Sequence, residues 1–416
     1  MVTVQRRLSR TFTAFFDSEK AGGTLLAVAT AASLLMANSS SAESYLAFWH
    51  LHIAGLSLEH WINDALMAIF FLLIGLELER ELYSGELSSF RYALLPLVAA
   101  VGGICVPAGI HLALNAGTPS QPGAGIPMAT DIAFALGVLA LLGSRVPASL
   151  KIFLTALAVA DDLFAIIVIA VFYTTGLSLA YLAGAIAAFA VLVVLNRRFK
   201  LMSPVPYLLG GTLMWFFMLK SGVHATIAGV LLAFAIPFSS RQEDEASPSH
   251  RLEHLLHKPV AFVILPIFAL ANTAIVIDAD WWQGLTTMNS LGIAAGLVLG
   301  KPIGIFLFTF IAVSLGLCRL PLDLTWRHVV GAGMLGGIGF TMSIFITNLA
   351  FPDDPVSVNS SKKAILAASL LAASLGAAWL RFIGYPASVD TDPETMDLEE
   401  VEPAVPVDRQ PRDEAL

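Results

Sequence analysis

The sequence predicts an all-α polytopic membrane protein with twelve transmembrane helices. Hydrophobic residues make up 57% of the 416 residues and charged residues only 13%, whereas a soluble domain averages about 25% charged. The apolar residues occur in runs close to the roughly 20 residues that span a bilayer as a helix. Two of these runs are interrupted near their middle by polar residues, proline or glycine, which is typical of a site inside the membrane.

The distribution of basic residues gives the orientation. The termini and the alternate loops on one side of the predicted segments hold 19 of the 23 Lys and Arg residues. Because such residues favour cytoplasmic loops, both termini are predicted to be cytoplasmic. The segments are 21–38, 60–83, 92–115, 122–143, 150–175, 180–196, 204–219, 223–237, 257–276, 290–314, 327–350 and 361–384.

Residues 1–384 are expected to form a single membrane domain flanked by two different termini. Residues 1–20 combine basic residues with an apolar face, which predicts an interfacial helix; a cleaved signal peptide over 1–40 is the alternative. Residues 385–416 are rich in Asp, Glu and Pro and are expected to form an acidic, disordered cytoplasmic tail. This tail holds ten acidic residues and two arginines, so the net charge of −8 is local to it.

Residues 45–58 have the alternating pattern of a small extracytoplasmic β-hairpin. His50 to Ile53 alternate in polarity, Ala54-Gly55 supplies a turn, and Leu56 to Leu58 alternate again. An irregular loop is the alternative. The two cysteines, Cys105 and Cys318, form neither a disulfide framework nor a metal-binding spacing.

Segments 4 and 11 are predicted to be broken helices. In segment 4 a proline precedes a Thr-Asp pair, and either side chain of that pair is suited to cap a restarted helix. In segment 11 three glycines occur within four residues. Two broken segments in corresponding halves point to a transport site between inverted repeats, whereas packing glycines and a simple proline kink are the alternative for each alone. The residues concerned are Pro127, Thr130, Asp131, Gly336, Gly337 and Gly339.

Segments 5 and 10 carry charges that lipid does not tolerate. Asp161 and Asp162 lie at the middle of segment 5, and Lys301 lies in segment 10. Each charge costs about 2.5–3.5 kcal/mol at the centre of a helix facing lipid. Adjacent helical positions point about 100° apart, so one aspartate is expected to hold Lys301 while the other faces a cavity. One ion pair leaves a second carboxylate over, which favours a functional role.

The chemistry of these groups suits a small hard cation. Carboxylate oxygens prefer alkali and alkaline-earth ions to soft metals, so Asp161 and Asp162 are expected to bind a hard cation when ionised and protons when not. Facing helix N-termini favour an anion and facing C-termini a cation, which are positions suited to Asp131 and Lys301. Weaker candidates are Asn63, Asp64 and His224, for which a helix cap or a loop histidine is the alternative.

A charged cluster is predicted at the cytoplasmic ends of segments 2 and 9. Solvated helix ends are the simpler interpretation, and a zinc site from the histidines is a further alternative. The sequence has no Walker A, H-E-x-x-H or G-x-S-x-G motif, so nucleotide hydrolysis and hydrolytic chemistry are not indicated. The cluster consists of Glu77, Arg80, Glu81, Arg251, Glu253, His254 and His257.

Over residues 12–384 the sequence resembles the NhaA-type sodium/proton antiporters of bacteria. The resemblance implies twelve spans, an inverted repeat of segments 3–5 and 10–12, and crossing of the broken segments 4 and 11. The matching stretches are WINDALMAIFFLLIGLELERE, MATDIAFALGVLALLG, LTALAVADDLFAII, LKSGVHATIAGV, RLEHLLHKPVAFVILP, GLVLGKPIGI and GGIGFTMSIFI.

For the site, the resemblance implies that Asp162 and Asp161 carry cation and protons, with Thr130 nearby. It implies that Asp131 and Lys301 compensate helix ends, that the charged cluster senses pH, and that the hairpin pairs two protomers in a homodimer. Three departures from the family pattern are Phe164, where glycine is common, and Glu79 and His250 in the cluster region. A bulky Phe164 is expected to narrow the cavity, and Glu79 to make the cytoplasmic funnel more acidic.

The function expected from these observations is transport, not enzymatic catalysis. The chain is expected to lie in the bacterial inner membrane, contact lipid, and export Na⁺, and also Li⁺, for entering protons. The exchange is expected to be electrogenic and pH-regulated, with no cofactor, nucleotide or nucleic acid. A sodium-coupled solute symporter on a related broken-helix fold is the alternative, and a channel is disfavoured because no filter motif occurs.

Overall fold

The structure, a computed structural model, describes residues 10–85, 88–174, 176–239, 247–277 and 281–383. Within these ranges the chain is almost entirely helical. The helices are α1 Arg10–Ala37, α2 Ala42–Trp49, α3 Leu58–Trp61, α4 Met67–Ser84, α5 Phe90–Asn115, α6 Ile132–Leu141, α7 Ala148–Phe172, α8 Leu179–Arg197, α9 Val205–Ser221, α10 Ile227–Ala235, α11 Pro248–Pro259, α12 Leu265–Asn272, α13 Trp281–Leu285, α14 Met288–Ala295, α15 Lys301–Ser314, α16 Trp326–Gly336, α17 Phe340–Ala350 and α18 Pro355–Ile383.

The described residues contain nine helices that are long and apolar enough to cross a membrane, some of them running through a π-helical turn. The bent pair α16 and α17, 47° apart, makes a tenth. These helices confirm an all-α polytopic membrane protein. Predicted segments 7 and 8 coincide with α9 and α10, which have only 17 and 9 residues, so the count of twelve spans and the inverted repeat stay predictions.

The N-terminal helix is continuous across a predicted boundary. α1 runs unbroken from Arg10 to Ala37, so residue 20 lies inside one helix and not between an interfacial helix and a first span. Residues 1–9 and the predicted tail, 385–416, lie outside the described residues.

The predicted hairpin is shorter than its sequence pattern. Strands β1, His52–Ile53, and β2, Leu56–Ser57, pair antiparallel. Ala54 and Gly55 between them have φ of 54° and 87°, the two positive values of a type I′ turn. The prediction is wrong for residues 45–49, which belong to α2. Tyr45 explains this, because its hydroxyl donates to the Leu270 carbonyl oxygen at 2.9 Å and fixes α2 against α12.

Three π-helical turns widen the long helices, at Ile62–Leu66, Val260–Ile264 and Gly296–Gly300. Two of them directly precede a proline, Pro266 and Pro302. Proline has no N–H and its ring crowds the carbonyl four residues earlier, so a wider turn relieves both problems. Such turns are frequent at functional sites, and the last of them places Lys301 at the start of α15.

α7 occupies the centre of the fold. About two thirds of its apolar stretch is buried within the protein (67%), against 11% for α8. α7 carries Asp161 and Asp162, and both are only 1% exposed. The two carboxylates therefore face protein and not lipid, as the cost of charge in a bilayer requires.

α5 and α15 approach each other closely next to the site. A Cβ at Gly102 would lie 2.2 Å from the Gly304 carbonyl oxygen, and one at Gly304 only 2.1 Å from the Gly102 oxygen. No real side chain fits such a distance. This mutual glycine contact, one turn after Lys301, seats α15 deeply enough for the lysine to reach the centre of the fold.

Candidate functional site

The first chain break lies in predicted segment 4. A 3₁₀ helix, Gln121–Met128, ends there, and α6 begins at Ile132 after three non-helical residues. Asp131 caps α6, because its Oδ1 accepts a hydrogen bond from the Phe134 N–H at 3.0 Å. The Asp131 N–H in turn donates to the Ile338 carbonyl oxygen at 2.6 Å. The two predicted breaks are therefore in direct contact.

The second break lies between α16 and α17, over Gly337 to Gly339. A Cβ at Gly337 would lie 2.3 Å from the Leu297 carbonyl oxygen, and one at Gly339 would lie 2.9 Å from the Leu297 side chain. Both glycines have ordinary right-handed backbone angles. Glycine is needed at both positions because any side chain would collide with the π-helical turn that precedes Lys301. It is not needed for an unusual φ.

Asp131 lies between two helix N-termini. Its Oδ2 accepts a hydrogen bond from the Thr341 N–H at 3.0 Å and another from the Thr341 hydroxyl, so it caps α17 as well as α6. Both N-termini carry positive partial charge, which a carboxylate stabilises. The structure thus places Asp131 where the sequence predicts an anion.

Lys301 is held by Asp161 and Thr130. It is fully buried, its Nζ forms an ion pair with Asp161 Oδ2, and it donates to Thr130 Oγ1 at 2.9 Å. The Thr130 hydroxyl is also 2.9 Å from the carbonyl oxygen of Gly336, the last residue of α16. Lys301 therefore reaches that C-terminal end through Thr130 and not directly, which corrects the simple picture of a cation facing the helix end.

The two adjacent aspartates have different surroundings. Asp161 pairs with Lys301, whereas Asp162 lines a cavity on another face of α7. Within the described residues, the buried Oδ1 atoms of both aspartates have no hydrogen-bond partner. This is the division of partners that the 100° spacing predicts. The unpartnered carboxylate oxygen of Asp162 at the cavity is a ligand suited to a small hard cation.

The cavity at Asp162 connects the broken helices to the predicted charged cluster. Its wall near Asp162 is mostly apolar, and Phe164 is not part of it but packs among core side chains. The expectation that Phe164 narrows the cavity is therefore wrong, because its side chain packs against the core and not on the cavity wall. The lining residues are Phe70, Leu73, Ile74, Glu77, Arg80, Glu81, Asp131, Ile132, Ala133, Thr155, Val159, Asp162, His257, Val260, Ala261, Leu265, Thr341 and Met342.

Five of the seven cluster residues come together at the cavity. Arg80 Nη1 lies 2.7 Å from Glu253 Oε1, and its Nη2 lies 3.4 Å from Glu81. His257 Nδ1 lies 3.8 Å from Glu77 Oε1. These contacts join α4 to α11 across the cavity.

The remaining two predicted members of the cluster do not join it. Arg251 and His254 are exposed on α11. Glu253 and His257, four residues apart, share the face towards α4, whereas His254 points about 100° away from Glu253. Of the two predicted histidines, only His257 therefore reaches the cavity.

Glu79 and His250 lie at the α4–α11 contact and not in the funnel. Glu79 is buried and accepts a hydrogen bond from the Ser249 hydroxyl at 3.2 Å. His250 Nδ1 lies 2.7 Å from the hydroxyl of Ser247, the residue that caps α11, and its ring stacks on Phe238. The expectation that Glu79 acidifies the funnel is therefore wrong.

The weaker candidates lie away from the cavity lining. Asp64 pairs with His60 at 3.2 Å, His224 Nε2 lies 2.8 Å from the Tyr173 carbonyl oxygen, and Asn63 contacts Asn272. The described residues contain no group of three His, Cys, Asp or Glu side chains able to hold a metal, so the zinc alternative has no support there.

Sequence reasoning missed Thr341, which supplies two hydrogen bonds to Asp131. Its position directly after the glycine break was a usable signal, because the first N–H groups of a helix need an acceptor. It also missed Ser343, whose hydroxyl donates to the Ile126 carbonyl oxygen at 2.7 Å and joins α17 to the 3₁₀ helix. No short-range pattern marks that contact.

Two broken helices in contact, with buried carboxylates and a lysine at the breaks, define a class of protein. They are the arrangement of a secondary transporter with its ion site near the middle of the membrane. The family Na⁺/H⁺ antiporter 1 matches residues 13–380. The Na(+)/H(+) antiporter NhaA of Dechloromonas aromatica is 69% identical over 382 residues, covering 92% of this chain and 98% of that protein.

More distant relatives carry the same description. The Na(+)/H(+) antiporter NhaA of Cytophaga hutchinsonii is 60% identical over 90% of this chain and 96% of its own length. That of Mesorhizobium japonicum is 51% identical over 91% of this chain and 96% of its own. The chain belongs to the NhaA family of Na⁺/H⁺ antiporters. It is a multi-pass membrane transporter, not an enzyme, and exchange of Na⁺ and H⁺ in this family needs no cofactor.

The shared cap predicts an unusually large effect of removing Asp131. Asp131→Ala deletes the acceptor for two helix N-termini, and each lost cap costs about 1 kcal/mol. Thr287→Ala is the control, because Thr287 caps α14 alone, accepting from the Ser290 N–H at 3.1 Å. Thermal unfolding of the two detergent-purified variants should show about twice the loss for Asp131→Ala, with Asp131→Asn between it and wild type. Equal losses for the two alanine variants would contradict a double cap.

Proposed function

We propose that this protein exports cytoplasmic Na⁺ in exchange for entering protons, by alternating access to Asp161 and Asp162. The observation that carries the proposal is the buried, unpartnered carboxylate oxygen of Asp162 at the cavity wall. Lys301 already neutralises Asp161, so Asp162 supplies the net negative charge that attracts a cation. The same carboxylate binds a proton when Na⁺ is absent.

The proposed exchange includes Li⁺ and is electrogenic. Li⁺ shares the charge and oxygen preference of Na⁺, and nothing in the lining selects by size. We propose that the two aspartates together take up two protons for each Na⁺ that leaves the site. A cycle then moves net positive charge inward, so the membrane potential drives it.

A solute symporter fits the cavity less well. Apart from Asp162 and the charged cluster, the lining offers Asp131 and the hydroxyls of Thr155 and Thr341, and is otherwise apolar. Thr341 and Asp131 already satisfy each other. An organic solute needs several convergent donors and acceptors, whereas a bare ion needs only oxygen ligands.

We also propose the orientation that the basic residues predict, with both termini in the cytoplasm and the chain in the bacterial inner membrane. The cavity mouth, at Arg80 and His257, then faces the cytoplasm. In this arrangement Na⁺ enters from the cytoplasm, past the charged cluster, and reaches Asp162.

Asp162→Asn should abolish exchange while leaving the folded protein in the membrane. An amide neither releases a proton nor neutralises Na⁺. Sodium-triggered dequenching of a pH-sensitive dye in proteoliposomes measures the effect. Asp354→Asn is the control, because Asp354 is exposed and only caps α18 through the Val356 and Ser357 N–H groups. Normal proton flux in Asp162→Asn would refute the proposed site.

The charged cluster is proposed to control entry according to pH. A protonated His257 attracts Glu77, which also faces Arg80 and lies near Glu81 and Glu253. Histidine is the side chain whose charge changes most readily near neutral pH. Loss of the His257 proton at higher pH removes the attraction, which loosens α11 from α4 and favours entry of Na⁺. Direct competition of protons and Na⁺ at Asp161 and Asp162 is the competing account.

His257→Gln should therefore move the alkaline activation midpoint to lower pH, by about one unit or less, because glutamine never carries the restraining charge. His254→Gln is the matched control, since His254 is exposed on α11 and does not line the cavity. The measurement is the apparent KM for Na⁺ against pH in proteoliposomes. Superimposed curves for His257→Gln and wild type would leave direct competition as the explanation.

The chain is proposed to form a homodimer through β1 and β2. Ile53 is exposed at the tip, and the Trp61 Nε1–H donates to its carbonyl oxygen at 2.8 Å, which anchors the hairpin to the rest of the fold. An exposed strand pair offers unpaired backbone groups to a second copy.

Deleting residues 52–57 should shift the purified protein towards monomer in light scattering and leave transport largely intact, because α2 and its Tyr45 contact remain. Ile53→Ser is the control, since it changes the side chain and keeps the strand backbone. A dimer that persists after the deletion would contradict pairing through this hairpin.

A further inference from the structure

Three asparagines form a hydrogen-bonded chain at the end of the fold away from the cavity mouth. Asn348 Nδ2 donates to Asn272 Oδ1 at 2.7 Å, and Asn272 Nδ2 donates to Asn63 Oδ1 at 2.8 Å. Asn272 is buried, and Asn63 and Asn348 are half-buried. We call these three residues the asparagine clasp.

The clasp joins three separate parts of the chain. Asn63 lies in the π-helical turn before α4, Asn272 is the last residue of α12, and Asn348 lies near the end of α17. The same three helices form the cavity on the other side, where α4 carries Glu77 and α17 carries Thr341. The clasp and the cavity mouth therefore lie at opposite ends of the same helices.

A layer of phenyl rings separates the clasp from the cavity. Phe71, Phe268 and Phe345 are each no more than 1% exposed, and the rings of Phe71 and Phe345 lie 5.5 Å apart. Phe268 and Phe345 are one turn towards the cavity from Asn272 and Asn348. None of the three lines the cavity, although the neighbouring Phe70 does. The cavity therefore ends at this layer.

We propose that the asparagine clasp closes the distal route to Asp162, and that its amide groups line the exit of Na⁺ when it opens. This inference rests on the proposed exchange at Asp161 and Asp162. Alternating access requires a closure on the distal side in the state whose cavity faces the charged cluster. A chain of neutral amides suits that role, because it is weaker than a buried ion pair and can exchange its partners for water.

The chemistry of the amides also suits passage of a cation. Asn63 and Asn272 use their carbonyl oxygens as acceptors within the clasp. Opening frees these oxygens, and amide oxygens are ligands that hard cations accept. Na⁺ leaving Asp162 then meets oxygen ligands beyond the phenyl layer in place of an apolar wall.

α17 couples the clasp to the site. Thr341 at one end holds Asp131 and Asn348 at the other end holds Asn272. The two residues are seven positions apart, about 10 Å along the helix. A helix of 11 residues, about three turns, moves as a rigid unit. A change in charge at the broken helices therefore reaches the clasp by movement of α17.

The test compares Asn348→Ala with Thr347→Ala. Thr347 is buried on the same helix, but its hydroxyl donates only to the Ser343 carbonyl oxygen within α17. Losing one hydrogen bond of the clasp should raise the equilibrium constant for opening of the clasp about fivefold. Amide hydrogen exchange at the distal turns of α12 and α17 should accelerate by that factor in Asn348→Ala and not in Thr347→Ala.

Transport gives a second readout that a mere packing defect would not produce. A weaker clasp favours the state open on the distal side, so half-saturating Na⁺ should fall at the distal face and rise at the cavity face, each by up to about fivefold. Vesicles of the two orientations measure these values separately. Equal shifts at both faces, or none beyond those of Thr347→Ala, would overturn the proposal.

Two further variants make the result decisive. Asn63→Ala removes the acceptor at the opposite end of the clasp and should accelerate amide hydrogen exchange to the same extent. This variant replaces Asn348→Ala if Asn348→Ala does not fold. Comparing Asp162→Asn with the double variant Asp162→Asn/Asn348→Ala separates the two proposals. Amide hydrogen exchange at α12 and α17 reports opening of the clasp even when the protein does not transport. If amide hydrogen exchange is unchanged in both Asn348→Ala and Asn63→Ala, the proposed role of the clasp is wrong, even where Asp162→Asn abolishes transport.

Discussion

The rest of the fold depends on compensating four ionisable groups, Asp131, Asp161, Asp162 and Lys301, inside a membrane-spanning protein. Each of them would cost several kcal/mol if it were left without a partner. Lys301 and Asp161 neutralise each other, and Asp131 is neutralised by two helix N-termini, a use of backbone charge that needs no second ionised side chain. Asp162 alone of the four has no such partner, and it lines the cavity.

The local structure follows from these needs. The helices break so that their N-termini face Asp131, and a widened turn before Pro302 brings Lys301 to Asp161.

The glycines and prolines near the site act through space and hydrogen bonding more than through flexibility. Gly337 and Gly339 let the second break lie against Leu297, and Gly102 and Gly304 let α5 and α15 touch. Gly339 meets the Leu297 side chain, but the other three glycines meet backbone oxygens, and backbones move less than side chains do. The ion site is thus assembled on rigid parts, while the charged cluster and the clasp lie at the ends of the helices, where hydrogen bonds between side chains hold them and can exchange. Such a separation suits a transporter whose site must keep its geometry while access to it changes sides.

The sequence was informative where the physics is local. The 100° between adjacent helical positions predicts that Asp161 and Asp162 take different partners, and a Thr-Asp pair after a proline predicts the cap at α6. The sequence did not predict which face of a helix lies against the cavity. His254 and Phe164 do not line the cavity, because α11 and α7 are each rotated by packing that spacing does not reveal. Tyr45 extends helix into a stretch with strand-like alternation through a bond to Leu270, 225 positions away. The count of twelve spans rests on the apolar runs and the distribution of basic residues, because α10 is too short to be recognised by length. The pairing of segments 3–5 with segments 10–12 as an inverted repeat rests on the resemblance to a family.

Thr130 links the ion pair to the helix break in a way that no single contact shows. Its hydroxyl has one proton and lies 2.5 Å from Asp161 Oδ2 and 2.9 Å from the Gly336 carbonyl oxygen, so it donates to one of them at a time. While Asp161 is ionised, the carboxylate is the stronger acceptor, and the Gly336 carbonyl loses that donor. When Asp161 takes up a proton, the hydroxyl is released to Gly336 and satisfies the C-terminal end of α16. Protonation of Asp161 thus changes the hydrogen bonding of Gly336, at the start of the second break. α17 follows that break, and it has Thr341, which bonds to Asp131, at one end and Asn348 at the other. Under the proposed exchange, one hydroxyl and one short helix therefore join a proton at the ion pair to a change at the distal end of the fold.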